Sequence, residues 1–413
     1  MFEVYEPMED SFLLVKHVKK RSSGFVLDVG TGSGIQAITT SEKAKLVIGI
    51  DISRDVIKLA KENAFKQNVK NICFFKSNMF DLFKKIQAKK QFKKDFKKKI
   101  KNKKIKNFLE KKILFDLIIF NPPYLPQDKG ISDKSIYGGI KGHETLEKFF
   151  SQVSNYLKEN GKILIVFSSL TKKEKIDELL QNYCFEFKQI DEKKLFFETL
   201  FVYLIKKSSL LKTLEKKGLK NIKKFARGNR GLLYKASLKK KDVVIKTKKP
   251  ESKAKGRIAN ETRWIKILNK HKIGPKLLFS GRGYFAYEFV KGDFILDFIK
   301  KNNKEDIIKI IKNVFNQIYI MDKLKVDKEE MHHPLKHVII DKKPVLIDFE
   351  RCKITIKPKN VTQFCQFLMS GSTELLLKQK GINLNKSKVI KLAKIYKKEQ
   401  TKENLNKILS ILN

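Results

Sequence analysis

The stretch that most restricts the fold is Asn121-Pro122-Pro123-Tyr124, directly behind the apolar run Leu114-Phe115-Asp116-Leu117-Ile118-Ile119-Phe120. A short, almost continuously apolar run reads as a buried strand. Two prolines then end its ladder, because proline has no N–H to donate. A polar Asn between strand and break is thereby left at the carboxyl edge of a sheet. In an open parallel sheet that edge is where ligands bind. The residues suit alkylation of an amide or amino nitrogen. An amide nitrogen is a poor nucleophile because its lone pair is delocalised into the carbonyl. The Asn121 side-chain oxygen and the Pro122 carbonyl can accept its two N–H bonds and aim the lone pair at an electrophilic methyl. The Tyr124 ring would wall off the planar group. Taken alone, the tetrapeptide also reads as a plain proline turn.

At 413 residues the chain has room for two domains, and 41% hydrophobic residues supply their cores. The formal charge of +47 is carried mostly by Lys. Such a field favours nucleic acid or ribosomal surfaces and salt-dependent association. Frequent Lys, Ile, Asn and Phe are equally what biased codon usage produces, so charge alone does not choose. Cys73, Cys184, Cys352 and Cys365 are scattered, with no CxxC pair and no neighbouring His ligand set. They read as free thiols in a reducing compartment, without a zinc site. The opening Met1–Pro7 carries no basic-then-apolar leader, and no apolar run is long enough to span a bilayer. The expectation is a cytoplasmic protein with no membrane contact.

In the first half, the strand Phe25–Val29 runs into Gly30-Thr31-Gly32-Ser33-Gly34. A glycine loop between strand and helix lets a cofactor approach the backbone and the helix N-terminus. Asp28 stands where a carboxylate can hold a cofactor ammonium. A second strand, Leu46–Ile50, ends in Asp51, placed to accept both hydroxyls of a ribose. Dinucleotide folds share both features, so the discrimination rests on the chain beyond Asp51. It continues as a helix over Arg54–Lys66, a strand over Ile72–Phe75, then Ser77-Asn78-Met79-Phe80, a lysine-rich stretch from Lys84 to Lys112, and the Asn121 loop.

This order resembles a class I S-adenosylmethionine methyltransferase. The first 207 residues resemble the HemK-type protein-glutamine N5-methyltransferases, in the archaeal and eukaryotic branch acting on class 1 release factors. Three stretches carry the likeness: Tyr5-Glu6-Pro7-Met8-Glu9-Asp10-Ser11-Phe12-Leu13-Leu14, Asn121-Pro122-Pro123-Tyr124-Leu125-Pro126, and Gly138-Gly139-Ile140-Lys141-Gly142-His143-Glu144. The NPPY loop also occurs in adenine-N6 DNA and guanine-N2 RNA methyltransferases; the first stretch favours the glutamine branch. The resemblance implies that Asp28, Gly30, Gly32, Gly34 and Asp51 hold S-adenosylmethionine, with Ser11 closing over it. Asn121, with Pro122 and Tyr124, would bind the glutamine amide. Asn78 stands where the family usually has Asp contacting the adenine amino group. A small zinc-binding activator subunit is also implied. Lys84–Lys112 departs from the family. Phe92, Phe96 and Ile100 are spaced by four, with Ile105, Phe108 and Leu109 following, which predicts a basic helix or helical hairpin. It reads either as an RNA or ribosome contact or as a solvated, tolerated insertion. Gly161–Phe167 is the fifth strand, Thr199–Ile205 a closing antiparallel strand, and Lys206-Lys207-Ser208-Ser209 a linker.

Residues 208–413 hold a different constellation. Gly228-Asn229-Arg230-Gly231 leads through a hairpin to Val243-Val244-Ile245-Lys246, which resembles the nucleotide lobe of a protein kinase. The backbone around Gly228 and Gly231 would cover ATP phosphates that Lys246 neutralises, and Glu261 is placed to pair with Lys246. Phe285–Gly292, with Glu288, resembles a hinge giving backbone bonds to adenine. Asp348 of Asp348-Phe349-Glu350 would hold Mg2+. The segment resembles the archaeal RIO-like predicted serine/threonine kinases, with Met321-Asp322-Lys323-Leu324, Lys336-His337-Val338-Ile339 and Pro358–Thr362 in support. The usual HxD loop is absent; Lys328-Glu329-Glu330-Met331 stands there, with Glu330 the candidate base, and Lys336 or His337 falls where a magnesium-binding Asn is usual. A working kinase, an ATPase and a pseudokinase all stay open. His332 and His333 are expected to point to different sides of an extended loop. The expected architecture is therefore α/β: a Rossmann-like methyltransferase with a seven-stranded, mostly parallel sheet (1–207, insertion 84–112), then an α+β kinase-like domain (208–413).

Overall fold

The computed structural model describes residues 6–98, 100, 102–127, 137–227, 231–248 and 256–412. Its contacts divide the chain into two compact units, Met1–Lys224 and Phe225–Asn413.

The first unit opens with helix α1 (Glu9–Arg21), strand β1 (Gly24–Val29), α2 (Ile35–Ser41), β2 (Ala44–Asp51), α3 (Arg54–Lys66) and β3 (Ile72–Lys76). Ser53 caps α3, its hydroxyl accepting from the Val56 amide at 3.4 Å, and Asp55 and Lys66 sit at the ends the helix dipole favours. Three short helices come next: α4 (Asp81–Ala88), α5 (Lys90–Lys98) and α6 (Lys103–Glu110). Then come β4 (Phe115–Phe120), α7 (Glu144–Val153), β5 (Leu157–Ser168), α8 (Lys173–Asn182), β6 (Phe185–Lys194), β7 (Thr199–Lys207) and α9 (Ser209–Lys216). The strands make one seven-stranded sheet, ordered β3-β2-β1-β4-β5-β7-β6. β1 to β5 run parallel, and β7 is antiparallel to both its neighbours. This is the mostly parallel α/β sheet the sequence leads one to expect.

Helices cover both faces, so the central strands are apolar throughout instead of alternating. Val26, Val47, Leu117, Ile119, Leu164 and Val166 share one core cluster with Leu14, Val18, Ala37 and Ala60 of the helices. Elsewhere in the unit aromatic rings fill the space, with Phe120 4.7 Å from Phe149 and Phe80 stacked 4.6 Å from Tyr156. The chain leaves β1 in one direction through β2 and β3 and returns on its other side through β4 and β5. The switch point between β1 and β4 opens a crevice at the carboxyl ends of the strands.

Three local expectations change. The expected linker at Lys206–Ser209 is the end of β7 and the cap of α9: Lys207 is 4% exposed, and the Ser208 hydroxyl accepts from the Leu211 amide at 3.1 Å. A buried ammonium needs a partner, and Glu215 of α9 supplies one, so the compact unit runs on to Lys224. β7 does not close the sheet but lies between β5 and β6. The polar edge strand β6 escaped the sequence reading because Phe185–Lys194 carries few apolar residues to mark it. The lysine-rich stretch is helical, as expected, and its apolar side is anchored. Phe108 packs 4.7 Å from Phe25 and 5.2 Å from Phe115, and Phe96 5.3 Å from Phe75.

A second sheet, ordered β11-β12-β10-β9-β8, is built from β8 (Lys220–Arg227, the edge strand), β9 (Gly231–Leu238), β10 (Lys241–Lys248), β11 (Leu277–Gly281) and β12 (Tyr284–Glu288). Helix α10 (Arg257–Asn269) lies in sequence between β10 and β11. After it come β13 (Asp293–Phe294), α11 (Ile295–Lys301), α12 (Lys304–Lys323), β14 (Val326–Asp327), β15 (Val338–Ile340), β16 (Pro344–Leu346) and β17 (Lys353–Ile354). Helices α13 (Asn360–Leu368), α14 (Gly371–Gln379), α15 (Lys386–Lys398) and α16 (Lys402–Leu409) complete a core containing Phe315, Phe364, Leu368, Tyr396 and Leu405. Asp322 is buried among the Asn360 side chain (2.8 Å) and the Tyr396 hydroxyl (3.0 Å), while Asn360 Oδ1 accepts from the Lys328 amide at 2.8 Å. The stretches around Asp322 and Asn360 are thus one network that fixes the approach to Glu330. All four cysteines are free thiols. No helix of the described residues is long and apolar enough to cross a membrane.

Candidate functional site

The crevice of the first unit gathers the loops after β1, β2, β3 and β4. The glycines of the first loop, Gly30, Gly32 and Gly34, all have positive φ, which a side chain would strain. A Cβ at Gly30 would lie 3.9 Å from the Asn121 carbonyl, so this loop runs beside the Asn121 segment. Asp28 is buried and accepts from the Thr31 hydroxyl at 2.7 Å. Burial pushes its carboxyl up to about 7, the nearby Asp51 adding to the effect. Such a group is suited to meeting a cation, which would restore its charge. Asp51 accepts from the Ser53 and Gly32 amides at 3.0 and 3.2 Å, and burial raises its pKa. Asn78, beyond β3, accepts from Lys148 Nζ at 3.2 Å at the surface.

Asn121 sits at the end of β4. Its Nδ2 donates to Asp10 Oδ2 at 3.0 Å and lies 3.3 Å from the Ser11 hydroxyl. The Tyr124 hydroxyl donates to the same Asp10 oxygen at 3.3 Å. Asn121 Oδ1 is buried without a hydrogen-bond partner among the described residues. A buried amide oxygen left this way carries a desolvation cost of about 1–3 kcal/mol, which a ligand N–H would relieve. Pro122 is buried, and the Tyr124 carbonyl accepts from the Thr171 hydroxyl at 2.8 Å. Gly138 and Gly142 press on the same loop: a Cβ at Gly138 would meet the Pro123 carbonyl at 2.6 Å, and one at Gly142 the Tyr124 carbonyl at 2.5 Å. Ser11, expected to close over a cofactor, turns its hydroxyl to Asn121 and its carbonyl to Gln36 Nε2 at 2.8 Å. Asp10 is the residue sequence reasoning missed. Its signal was its place beside Ser11 in the N-terminal stretch, of which Tyr5 lies outside the described residues.

In the second unit, Lys246 of β10 bonds Glu261 of α10 at 2.7 Å and Asp348 at 2.9 Å. Burial alone would lower the Lys246 ammonium, but the two carboxylates outweigh it and hold it above its usual range. Asp348 is pushed up by burial and more than compensated by Lys246, so it stays below the usual carboxylate range. Arg257 pairs with Glu350 at 2.7 Å, and Asn260 donates to the Glu350 carbonyl at 2.9 Å, tying α10 to the Asp348 turn. Gly231 begins β9 opposite Lys248, whereas Gly228 lies outside the described residues. Glu288 fits its expected role less well: its amide is spent on the Lys276 carbonyl at 3.0 Å and its carboxylate faces Lys241 at 3.7 Å, so that N–H is not available to a purine. Glu330 lies 3.2 Å from Arg351 and 3.6 Å from His337 Nδ1. Burial, with Lys328 beside it, pushes His337 down to about 4. Lys328, passed over in the sequence, is fully buried and donates to the Asp348 carbonyl. His332 and His333 do not diverge; their rings lie 4.8 Å apart because the segment turns instead of extending.

A methyltransferase-domain family model matches residues 20–227, half of the chain. A Methanocaldococcus jannaschii protein named as a protein N5-glutamine methyltransferase is 40% identical over 184 residues, 43% of this chain and 79% of that protein. Release factor glutamine methyltransferases of Aquifex aeolicus and Fusobacterium nucleatum are 30% and 27% identical, over 40% and 37% of this chain. The chain spans only 52% and 39% of those two proteins. Among solved structures, the E. cuniculi Mtq2–Trm112 complex, which methylates the eRF1 termination factor, aligns at 17% identity with TM-score 0.35, over 49% of this chain and 98% of that chain. The kinase-methyltransferase WbdD aligns at 14% identity with TM-score 0.41, over 98% of this chain and 88% of that one.

Proposed function

Because the chain belongs, through its first half, to the HemK-type class I S-adenosylmethionine-dependent methyltransferases, we propose that it methylates the side-chain amide nitrogen of a glutamine in a class 1 translation release factor. The observation that carries this reading is the buried, unpartnered Oδ1 of Asn121, whose amide nitrogen is already held. Asn121 Oδ1 accepts one N–H of the glutamine amide and the Pro122 carbonyl the other, so that the nitrogen lone pair faces the methyl donor. Tyr124, positioned by Asp10, forms the wall against the planar amide. Bound S-adenosylmethionine would supply an electrophilic methyl on sulfonium. Taking the methyl from such a donor would leave the amide nitrogen cationic and ready to release its proton, so no strong general base is needed. The donor set fits that cofactor: Asp28 for its ammonium, Asp51 for its ribose, Asn78 for its adenine amino group, and the Gly30–Gly34 loop for close backbone approach. A small zinc-binding activator subunit, implied by the family resemblance, belongs to this reading.

Radiolabelled S-adenosylmethionine incubated with the cognate release factor, with and without the activator, tests it. Label is expected in the wild-type factor and absent from its Gln→Ala variant, and Asn121→Ala should lower turnover at least about a hundredfold. Label in RNA or DNA, or none despite cofactor binding and activator, overturns it.

The Lys246–Glu261–Asp348 geometry favours a second reading, for the second unit. We propose that it binds ATP with a divalent cation, the backbone at Gly231 covering phosphates and Lys246 neutralising them. An ATP-binding assay in which Lys246→Ala binds as tightly as the wild type would sink this reading.

A further inference from the structure

Three loop segments of the second unit bring metal-ligating atoms together. Glu330 lies beyond β14, His337 ends the short turn that begins at Pro334, and Asp348 lies just beyond β16. One carboxylate oxygen each from Glu330 and Asp348 and one ring nitrogen of His337 lie within 4.8 Å of one another. We propose that Glu330, His337 and Asp348 form a divalent-cation site whose imidazole ligand makes it prefer Mn2+ or Zn2+ to Mg2+.

Two ligands each about 2.1 Å from one ion stand about 3.0 Å apart at right angles and about 3.4 Å apart at the tetrahedral angle. Glu330 Oε2 and His337 Nδ1 are 3.6 Å apart, so a shift of a few tenths of an ångström brings that pair to ligand spacing, and the Asp348 oxygen lies within 4.8 Å of both. All three residues lie outside helices and strand ladders, in segments that absorb such shifts more readily than a sheet. The chemistry of the donors decides the ion: Mg2+ is hard and takes oxygen ligands, whereas an imidazole nitrogen suits Mn2+ and Zn2+ better, in the order of their affinity for nitrogen.

A rival group, Glu261, Asp348 and Glu350, also converges. Its outer members are already matched, Glu261 by Lys246 at 2.7 Å and Glu350 by Arg257 at 2.7 Å. In the proposed site Arg351 engages Oε1 of Glu330, while Oε2 faces the imidazole. Lys246 engages Oδ1 of Asp348. Lys328 Nζ lies 3.5 Å from His337 Nδ1 and is the cation an incoming ion must displace or tolerate. Lys246, Lys328 and Arg351 balance Glu261, Glu330 and Asp348 in formal charge. A bare ion therefore gains little from net charge, and a polyphosphate should tighten it. That last step rests on the nucleotide reading; the imidazole ligand does not.

Electron paramagnetic resonance of Mn2+ bound to the full chain tests the site. Wild type should bind Mn2+ at least about tenfold more tightly than Mg2+ in competition, and its spin-echo spectrum should carry nitrogen modulation from one imidazole. His337→Ala should lose that modulation and about tenfold or more in Mn2+ affinity, with Mg2+ affinity changed less than about twofold. His337→Asn, which offers an oxygen, should narrow the gap between the two ions. Bound Mn2+ without nitrogen modulation in the wild type overturns the site, whatever the variants do, as does equal Mn2+ affinity in a His337→Ala protein that melts normally. Modulation that persists while ATP fails to tighten Mn2+ supports the site and removes only the nucleotide reading.

Discussion

A carboxylate has no proton to give, so the Asp10 oxygen 3.0 Å from Asn121 Nδ2 decides which end of that amide faces inward. The nitrogen is held, and the oxygen is left for a ligand. Asp10→Asn removes this bias, because a second amide can accept or donate and Asn121 can then reverse. The expected outcome is a fall in turnover of about tenfold to a hundredfold with cofactor affinity unchanged, read by methyl transfer beside calorimetry with S-adenosylhomocysteine. Asp28 gives a second prediction at this scale. Its carboxyl titrates at about 7 in the folded protein against 3.8 as the unperturbed value. Between those values the folded state keeps a proton that the unfolded chain has lost, so this residue makes stability fall as pH rises through the window. An ammonium ligand needs the carboxylate, so cofactor affinity should do the opposite. It should rise about tenfold per pH unit up to roughly 7 and level off above it. Asp28→Asn should flatten both dependences; a calorimetric pH series and melting curves from pH 5 to 8 would show a wild-type slope that survives the substitution if the assignment is wrong.

Helix α1 shows what an element can do that its own sequence does not announce. It brings Asp10 and Ser11 to Asn121 across more than a hundred residues, and no local pattern encodes that meeting. What was legible in the sequence was local. The glycine loop, the acids ending β1 and β2, and the proline break after β4 each impose their own geometry within a few residues. The pairing of Lys246 with Glu261 was legible through the resemblance of this stretch to a kinase nucleotide lobe, and the structure places the two side chains 2.7 Å apart. Contacts that close long loops were not, as with Tyr396 on Asp322, Lys328 under Asp348 and the place of β6 at the sheet edge. The lysine-rich insertion lies between these cases: its period of four announced helices, but not which rings they would meet. Phe108 is 6% exposed and touches Phe25 and Phe115. Phe108→Ala should therefore cost about 3–5 kcal/mol in urea unfolding. Phe92→Ala, at a half-buried ring, should cost under about 2 kcal/mol. Equal, negligible effects would mean that the insertion is merely tolerated.

At the scale of the whole molecule, the question is where one folding unit stops. Composition puts the seam at the lysine–serine run near 207, where the sequence looks like a tether. The packing argues for Lys224. Lys207 is 4% exposed; its ammonium donates to the Ser154 carbonyl at 2.7 Å and to Glu215 at 2.5 Å. Burial lowers its pKa, and Glu215 opposes that shift, so the charge depends on α9. Leu211 and Leu214 of the same helix are 1% and 0% exposed. A chain cut after Lys207 loses all three. It leaves a buried cation without its carboxylate, at about 3–5 kcal/mol, and two leucine contacts worth about 1.5–3 kcal/mol each. That sum rivals the whole net stability of an ordinary domain, about 5–15 kcal/mol. Residues 1–224 should therefore unfold in one cooperative urea transition, while residues 1–207 should show a much lower midpoint or none. Full-chain Glu215→Gln isolates the charge: it keeps α9 and its leucines, and should cost less than the truncation yet measurably more than a surface pair. If the two fragments share a midpoint, the seam is at 207, and α9 belongs to the tether the sequence suggested.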